Sequence, residues 1–267
     1  LSKLRPNGVV AILTDFGTVD HFVGVVKGKI LQELKAGQMP LFIDITHEIP
    51  PQNIVAGALK LKFSYKYFPK GTIFLAIVDP GVGSQRRAIV VETEDYFFVG
   101  PDNGLFSLVL METKPRVVYE ILTEIVLKPP YSATFHGRDL FAPAVALLLC
   151  GVPLSEWAKI IDSNELVSLD IYEPEPISGG YRLQIIDIDR FGNLITNLSQ
   201  ELLGERKAKV VINGQEIRIV RTYSDAERGE VVALFSSEGL LEIAVREGSA
   251  KEFFGQKLPE IFVFINS

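Results

Sequence analysis

Two stretches near the start of the chain restrict its fold more than any others: VVAILTDF (Val9 to Phe16) and TIFLAIVD (Thr72 to Asp79). Each is a near-continuous apolar run of strand length that ends at a carboxylate. A strand with one wet face alternates apolar and polar residues, so a run without alternation needs cover on both faces. PLFIDITHEI reads as another strand, and RAIVVE, YFFVG and RVVYEI read as further ones. Helical patterns lie between them. DHFVGVVKGKILQELK sets Phe22, Val23, Val26, Ile30 and Leu34 at helical spacing, with Asp20 able to cap its start. NIVAGALKLKFSYKYF reads as a second helix, GRDLFAPAVALLLCG as the last major one and PLSEWAKII as a shorter one. This alternation predicts a layered α/β domain with a mostly parallel central sheet over residues 1–162.

The pattern then changes. SNELVSLDIYEPEPISGG, residues 163–180, is rich in Pro, Gly and acids and reads as a linker. After it come short strand-like pieces: YRLQIIDID, AKVVI, EIRIV, EVVALFSS, LLEIAV and EIFVFI. Asn213-Gly214 between two of them is a two-residue hairpin signal. Residues 181–267 are therefore expected to form a small antiparallel β-barrel or sandwich. At 267 residues and 47% hydrophobic, the chain has apolar material for one large domain or two small ones.

Composition removes several functions. Lys plus Arg is 27 against 33 for Asp plus Glu, a net charge of −6, which argues against a sequence-independent nucleic-acid binder. No stretch approaches the apolar length of a membrane span. LSKLRPNGVV lacks an apolar signal core, so the cytoplasm is the expected location. The single cysteine, Cys150, ends the apolar run LFAPAVALLLC and reads as a buried, inert thiol.

In open α/β sheets, ligands bind beyond the carboxyl ends of the strands. Those ends offer Asp15 and Asp79, and VDPGVGSQRR adds Arg86 and Arg87 just past a tight turn. PGVGS is not a phosphate loop, since the Lys-Ser/Thr pair and the third Gly of a dinucleotide fingerprint are missing. Taken alone, Pro80-Gly81 reads equally as a simple chain reversal, with Arg86 a solvated surface residue. There are three histidines. His21, in the first turn of a helix, is expected to be exposed, and His47 in DITHEIPP suits a satisfied structural role. His136, in FHGRD, precedes a helix built for burial and has Arg138 and Asp139 beside it. A lone imidazole there is more often structural. The residues by themselves support an α/β enzyme with its site at the strand ends and leave the chemistry open.

Several stretches in order carry more: LTDFGTVDHFVGVVKG, DITHEIPP, VDPGVGSQRR, GPDNGLF, TFHGRDLFAPA and DRFGNLITN, followed by SSEGLLEIAVREGSA. Together they resemble the S-adenosyl-L-methionine hydroxide adenosyltransferases, the water-using relatives of the fluorinase and chlorinase. The resemblance implies cleavage of S-adenosylmethionine by water at the 5′ carbon, giving adenosine and L-methionine. It maps the family's Asp–Arg–His catalytic set onto Asp79, Arg86 and His136. The halogenases lack that set and carry an extra loop in the first domain that has no counterpart here, so hydrolysis is favoured.

The same resemblance assigns binding roles. Asp15 matches the carboxylate that grips the ribose diol, and Asp20 and Asp189 match acids near the methionine end. Phe191 and Asn193 match adenine contacts, and Ser237 matches a polar contact to the amino-acid moiety. Phe135, beside His136, joins the substrate-binding residues. Gln52 stands where the halogenases carry Trp, and Val245 where they carry an Arg facing the base. The family is trimeric, each site lying between the first domain of one subunit and the β domain of its neighbour. No metal and no separate cofactor are implied. Two readings compete with hydrolysis: halide alkylation of the same substrate, and a non-catalytic sensor of S-adenosylmethionine or adenosine.

Overall fold

The computed structural model describes residues 4–169 and 173–265, and the chain divides into two compact units at the 169/170 boundary. Residues 170–172, within the segment read as a linker, lie outside the described residues, as do residues 1–3 and 266–267 at the termini.

The first unit is built on strands β1 (Val9–Thr14), β2 (Leu41–Thr46), β3 (Ile73–Ile77), β4 (Ala88–Glu92), β5 (Phe97–Pro101), β6 (Val117–Ile121) and β7 (Ala158–Ile161). They form one seven-stranded sheet in the order β2-β1-β3-β5-β4-β6-β7. The pairs β1–β2, β1–β3 and β3–β5 are parallel, whereas β4–β5, β4–β6 and β6–β7 are antiparallel. Five of the seven strands thus run the same way, and β4 and β7 run against them.

The expected helices are α1 (Phe22–Glu33), α2 (Ile54–Ser64) and α5 (Ala142–Leu149); two short ones, α3 (Ser107–Glu112) and α4 (Thr123–Val126), have no clear apolar period. β1, β3, β4 and β5 are buried along nearly their whole length because each face of the sheet has its own core. Val10, Ile12 and Leu75 pack with Val26 and Ile30 of α1 and with Val145 of α5. Ala11, Leu13 and Phe74, one residue out of phase, pack with Ala56 and Leu61 of α2 and Val109 of α3. That period-two partition is why the strands read as unbroken apolar runs.

Two expectations are corrected. Asp20 does not cap α1: the N-cap position is His21, without a side-chain cap, and Asp20 is exposed one residue upstream. PLSEWAKII is not a helix. Leu154–Glu156 makes one tight turn, and Ala158–Ile161 then pairs with the open edge of β6, so tertiary pairing outweighs helical propensity. A third difference lies at the start of α5, where Gly137–Phe141 forms a wide π-helical turn. Pro143, in the first turn of α5, has no N–H to donate and crowds the preceding turn, which the wider winding accommodates.

The second unit holds β8 (Glu175–Ile177), β9 (Gly180–Leu183), β10 (Ile185–Ile188), β11 (Leu194–Ser199), β12 (Ala208–Ile212), β13 (Gln215–Ile217), β14 (Val231–Phe235), β15 (Leu240–Val245) and β16 (Ile261–Ile265), with short helices α6 (Gln200–Leu203) and α7 (Ala250–Phe254). They make a four-stranded sheet, β10-β11-β15-β14, and a five-stranded sheet, β13-β12-β16-β9-β8. All of these pairings are antiparallel, and residues of both sheets, including Leu194, Ile243, Val210 and Val263, share one core. The Asn213-Gly214 turn joins β12 to β13 with both residues at positive φ, 50° and 83°. β8 begins inside the stretch 163–180. β11 escapes a hydropathy reading because Thr196 takes an inward position, where its hydroxyl donates to the Leu241 carbonyl at 2.7 Å.

Candidate active site

Asp79 lies just beyond the carboxyl end of β3, and Arg86 just before the start of β4. Because β4 runs against the parallel strands, its start returns to the end of the sheet where β3 finishes. The reversal is a tight loop: the Val82 amide donates to the Asp79 carbonyl and the Ser84 amide to the Gly81 carbonyl. Gly83 sits at φ 77°, and a Cβ there would meet the Ala133 carbonyl oxygen at 2.7 Å, so only glycine lets the loop abut the segment leading into His136.

Three sequence-predicted residues meet at this point. Arg86 Nε donates to Asp79 Oδ1 at 2.9 Å and Nη2 to Asp79 Oδ2 at 2.5 Å. The same Nη2 lies 3.1 Å from His136 Nδ1. A guanidinium only donates, so Nδ1 is the acceptor and the neutral ring carries its proton on Nε2. Burial, and then the Arg86 charge, push the His136 pKa below its usual value, against smaller opposing effects of Asp79 and Asp139. The imidazole is therefore held neutral. Arg86 Nη1 and His136 Nε2 have no partner among the described residues, which leaves two N–H donors open beside a buried ion pair. Arg86 is also stacked over Phe141 of the π turn, 5.2 Å from the ring centre.

The neighbours of His136 in FHGRD behave differently from each other. Arg138 and Asp139 pair with each other at 2.6 Å rather than with His136, and Asp139 also accepts the Ser132 amide. Phe135 packs edge-on against Phe16 and Phe22, with centroids 6.0 and 5.5 Å away, which ties the triad segment to the loop after β1. That loop carries Asp15, whose Oδ2 accepts the Gln52 amide at 2.8 Å. β1 is the parallel neighbour of β3, so Asp15 and Asp79 emerge from adjacent strands at the same end of the sheet. Asp20 is exposed and engages no other group among the described residues. Cys150 is half-buried rather than buried, its Sγ 3.2 Å from Gln38 Oε1.

In the second unit, Asp189, Phe191 and Asn193 form one turn between β10 and β11. Asp189 Oδ1 accepts the amides of Phe191 and Asn193, and Oδ2 accepts the Asn193 side-chain amide, all at 2.9 Å. Gly192, at φ 84°, touches the start of α7, where a Cβ would fall 2.0 Å from Ser249 Oγ. This rigid turn presents the Phe191 ring to solvent, 76% exposed, while Asn193 is buried. Ser237 lies apart, in the turn between β14 and β15, bonded to Glu238. Sequence reasoning missed Glu242 of β15, a buried carboxylate bonded to the Tyr223 hydroxyl. Burial, together with Asp189 and Glu238, pushes its pKa up. The signal was available: one acid in the apolar run LLEIAV.

Two family models match this chain in order: the SAM hydroxide adenosyltransferase N-terminal domain over residues 10–158 and the C-terminal domain over residues 183–261. The chain belongs to the SAM hydroxide adenosyltransferase family. A relative from Thermus thermophilus, named (R)-S-adenosyl-L-methionine hydrolase, is 37% identical over 95% of this chain and 97% of its own length. One of the same name from Methanocaldococcus jannaschii is 36% identical over 88% of each chain. A crystal structure from Thermotoga maritima, titled an uncharacterized conserved protein, superposes with a TM-score of 0.82 at 32% identity, covering 96% of this chain and all of that one. Among the described residues, no helix is long and apolar enough to cross a membrane.

Proposed function

We infer that this protein hydrolyses S-adenosyl-L-methionine at the 5′ carbon, releasing adenosine and L-methionine. The observation that carries the mechanism is Arg86, which donates to Asp79 and His136 at once and keeps Nη1 open. In this reaction a C–O bond forms at the 5′ carbon and the C–S bond breaks, its electron pair staying on sulfur. A sulfonium leaves as a neutral thioether, so no acid is required for the leaving group. What the site must supply is a better nucleophile. In the neutral state, His136 offers a donor at Nε2 and Arg86 another at Nη1. Two donors on one oxygen favour hydroxide over water, and the proton is released to solvent as hydroxide forms. Asp79, occupied by Arg86, holds the guanidinium in place.

The remaining residues take the roles that the family resemblance supports. Asp15 Oδ1, which has no partner among the described residues, takes the ribose hydroxyls, and Phe191 offers a ring face to adenine beside the Asn193 amide. Asp20, Asp189 and Ser237 serve the methionine end, and Phe135 lines the substrate side of the triad. The resemblance also supports a cytoplasmic homotrimer whose sites join the first unit of one subunit to the second unit of its neighbour.

The test is incubation with S-adenosylmethionine, with and without chloride, followed by chromatography. Adenosine is expected, and in ¹⁸O-water its 5′-hydroxyl takes the label while methionine does not. A 5′-halo nucleoside, or unchanged bound ligand, overturns the reading.

A further inference from the structure

His47 has no place in the hydrolytic scheme, yet it is 5% exposed and Thr14 beside it is 1% exposed. The two are joined by a 2.8 Å contact between Thr14 Oγ1 and His47 Nδ1. Thr14 Oγ1 also accepts the Phe16 amide at 3.2 Å, so its own O–H is free to donate to Nδ1. The opposite ring nitrogen, Nε2, lies 3.1 Å from Asp44 Oδ1, and Asp44 is held in turn by Lys27 at 2.6 Å. The His47 main chain acts on the same loop, its carbonyl accepting the Gly17 amide at 2.7 Å. Ring and carbonyl thus hold Thr14 and Gly17, and Thr14 in turn holds the Phe16 amide, so the bonds bracket Asp15.

The segment after His47 adds two more ties. Glu48 accepts the Thr18 hydroxyl at 3.0 Å, and the Gln52 amide reaches Asp15 Oδ2 at 2.8 Å. Among the described residues, Gln52 is one of three non-glycine residues with positive φ, at 64°. Backbone strain of that kind persists only where the surroundings over-determine it. The motif DITHEIPPQ thus closes as a clamp around one carboxylate.

We propose that His47 is a positioning residue for Asp15. Its ring and carbonyl fix the loop from Thr14 to Gly17 so that the Asp15 carboxylate meets the Gln52 amide with one oxygen and presents the other to ligand hydroxyls. The proposal rests on the reading of Asp15 as the carboxylate that takes the ribose diol. It assigns His47 no proton transfer.

The experiment compares calorimetric titrations of the full protein with adenosine and with 2′,3′-dideoxyadenosine, which lacks the diol. Asp15→Ala is expected to abolish discrimination between them. His47→Leu and Thr14→Val are each expected to weaken adenosine binding about tenfold, the scale of one charge-assisted hydrogen bond, and dideoxyadenosine binding by less than about twofold. His47→Asn, which restores an acceptor near Nδ1, recovers most of the adenosine affinity. Thr14→Val keeps the volume of the buried side chain, so it carries the test if the His47 variants fold poorly. Discrimination lost in Asp15→Ala but kept in the His47 and Thr14 variants overturns the positioning role alone. Discrimination kept in Asp15→Ala overturns the diol reading and the proposal with it. Equal weakening of both ligands, with a lower melting temperature, reduces His47 to a core residue.

Discussion

The two units handle charge in opposite ways. At the sheet end of the first, Asp79 and Arg86 are buried, their side chains only 7% and 10% exposed, and they are bonded through two parallel contacts with His136 attached. In the turn Asp189–Asn193 of the second, the carboxylate accepts hydrogen bonds from its own turn and an apolar ring stands in solvent. The first arrangement holds reactive polarity away from water, and the second holds a flat apolar surface in it. Chemistry needs the former because donors are stronger where the surroundings are dry. Recognition of a planar base needs the latter, since a preordered ring loses little entropy on contact.

The largest effect that tests this contrast is on turnover. Arg86→Ala and His136→Ala are each expected to lower it by about two to four orders of magnitude with little change in substrate affinity, and the double variant adds little. Arg86→Ala also leaves Asp79 buried and unpaired, so chemical denaturation should show a loss of about 3–5 kcal/mol. His136→Ala should lose much less, and a fully active His136→Ala protein would end its catalytic role. Next comes Phe191→Ala, expected to raise the dissociation constant for adenosine by about 5- to 100-fold, the range of base–aromatic stacking. Because the ring is exposed, its melting temperature should not fall. A drop in stability without a loss of affinity would make Phe191 structural and erase the contrast.

Smaller effects sharpen it. Gly192→Ala places a Cβ on Ser249 Oγ and forces a positive φ on a residue with a side chain. A melting temperature several degrees lower is expected, with adenosine affinity falling in step as the turn deforms. The smallest effect is on pH dependence. The His136 pKa is lowered in the fold, so below about pH 6.5 the unfolded chain takes up a proton that the native ring does not. Stability therefore falls as pH drops through that value and levels off below the folded pKa. Protonation of Nδ1 also breaks its bond to Arg86, so turnover declines on the same acid side, at a pH below the ordinary imidazole range. His136→Asn should flatten the stability part of this profile, as read by melting temperature between pH 5 and 7.

The sequence made the parallel part of the sheet legible because both of its faces are dry, and the strands accordingly carry no alternation to hide them. It also placed Asp15 and Asp79 at strand ends by position alone. It did not show β7, whose residues pair only because β6 has an open edge, or β11, where a threonine sits inward on a hydrogen bond to Leu241. The π turn before α5 was hidden too, since a proline in the first turn of a helix ordinarily reads as a favourable start. Resemblance, not spacing, joined His136 to Arg86. They are fifty residues apart and meet only through Gly83, which lets two loops touch without a side chain between them. The buried Glu242 was visible as an anomaly in an apolar strand but gave no hint that Tyr223 would answer it.

The reversed direction of β4 sets a limit on how this chain tolerates insertions. A parallel successor to β3 would have left through a crossover helix, and an arginine seven residues on could not have returned to Asp79. As built, a short loop closes the ion pair. Lengthening such a loop is cheap for folding, because the closure entropy rises only with the logarithm of its length, about 0.6 kcal/mol per doubling. It is not cheap for geometry, since Gly83 must still meet the Ala133 carbonyl and Arg86 must still reach both of its acceptors. One or two extra residues between Pro80 and Gln85 should leave a protein that still folds, but with Asp79 buried and unpaired it should lose stability on the scale of Arg86→Ala, together with the donors proposed for the nucleophile. The length of that loop is set by the ion pair and the donors it positions, not by the entropy of closing it.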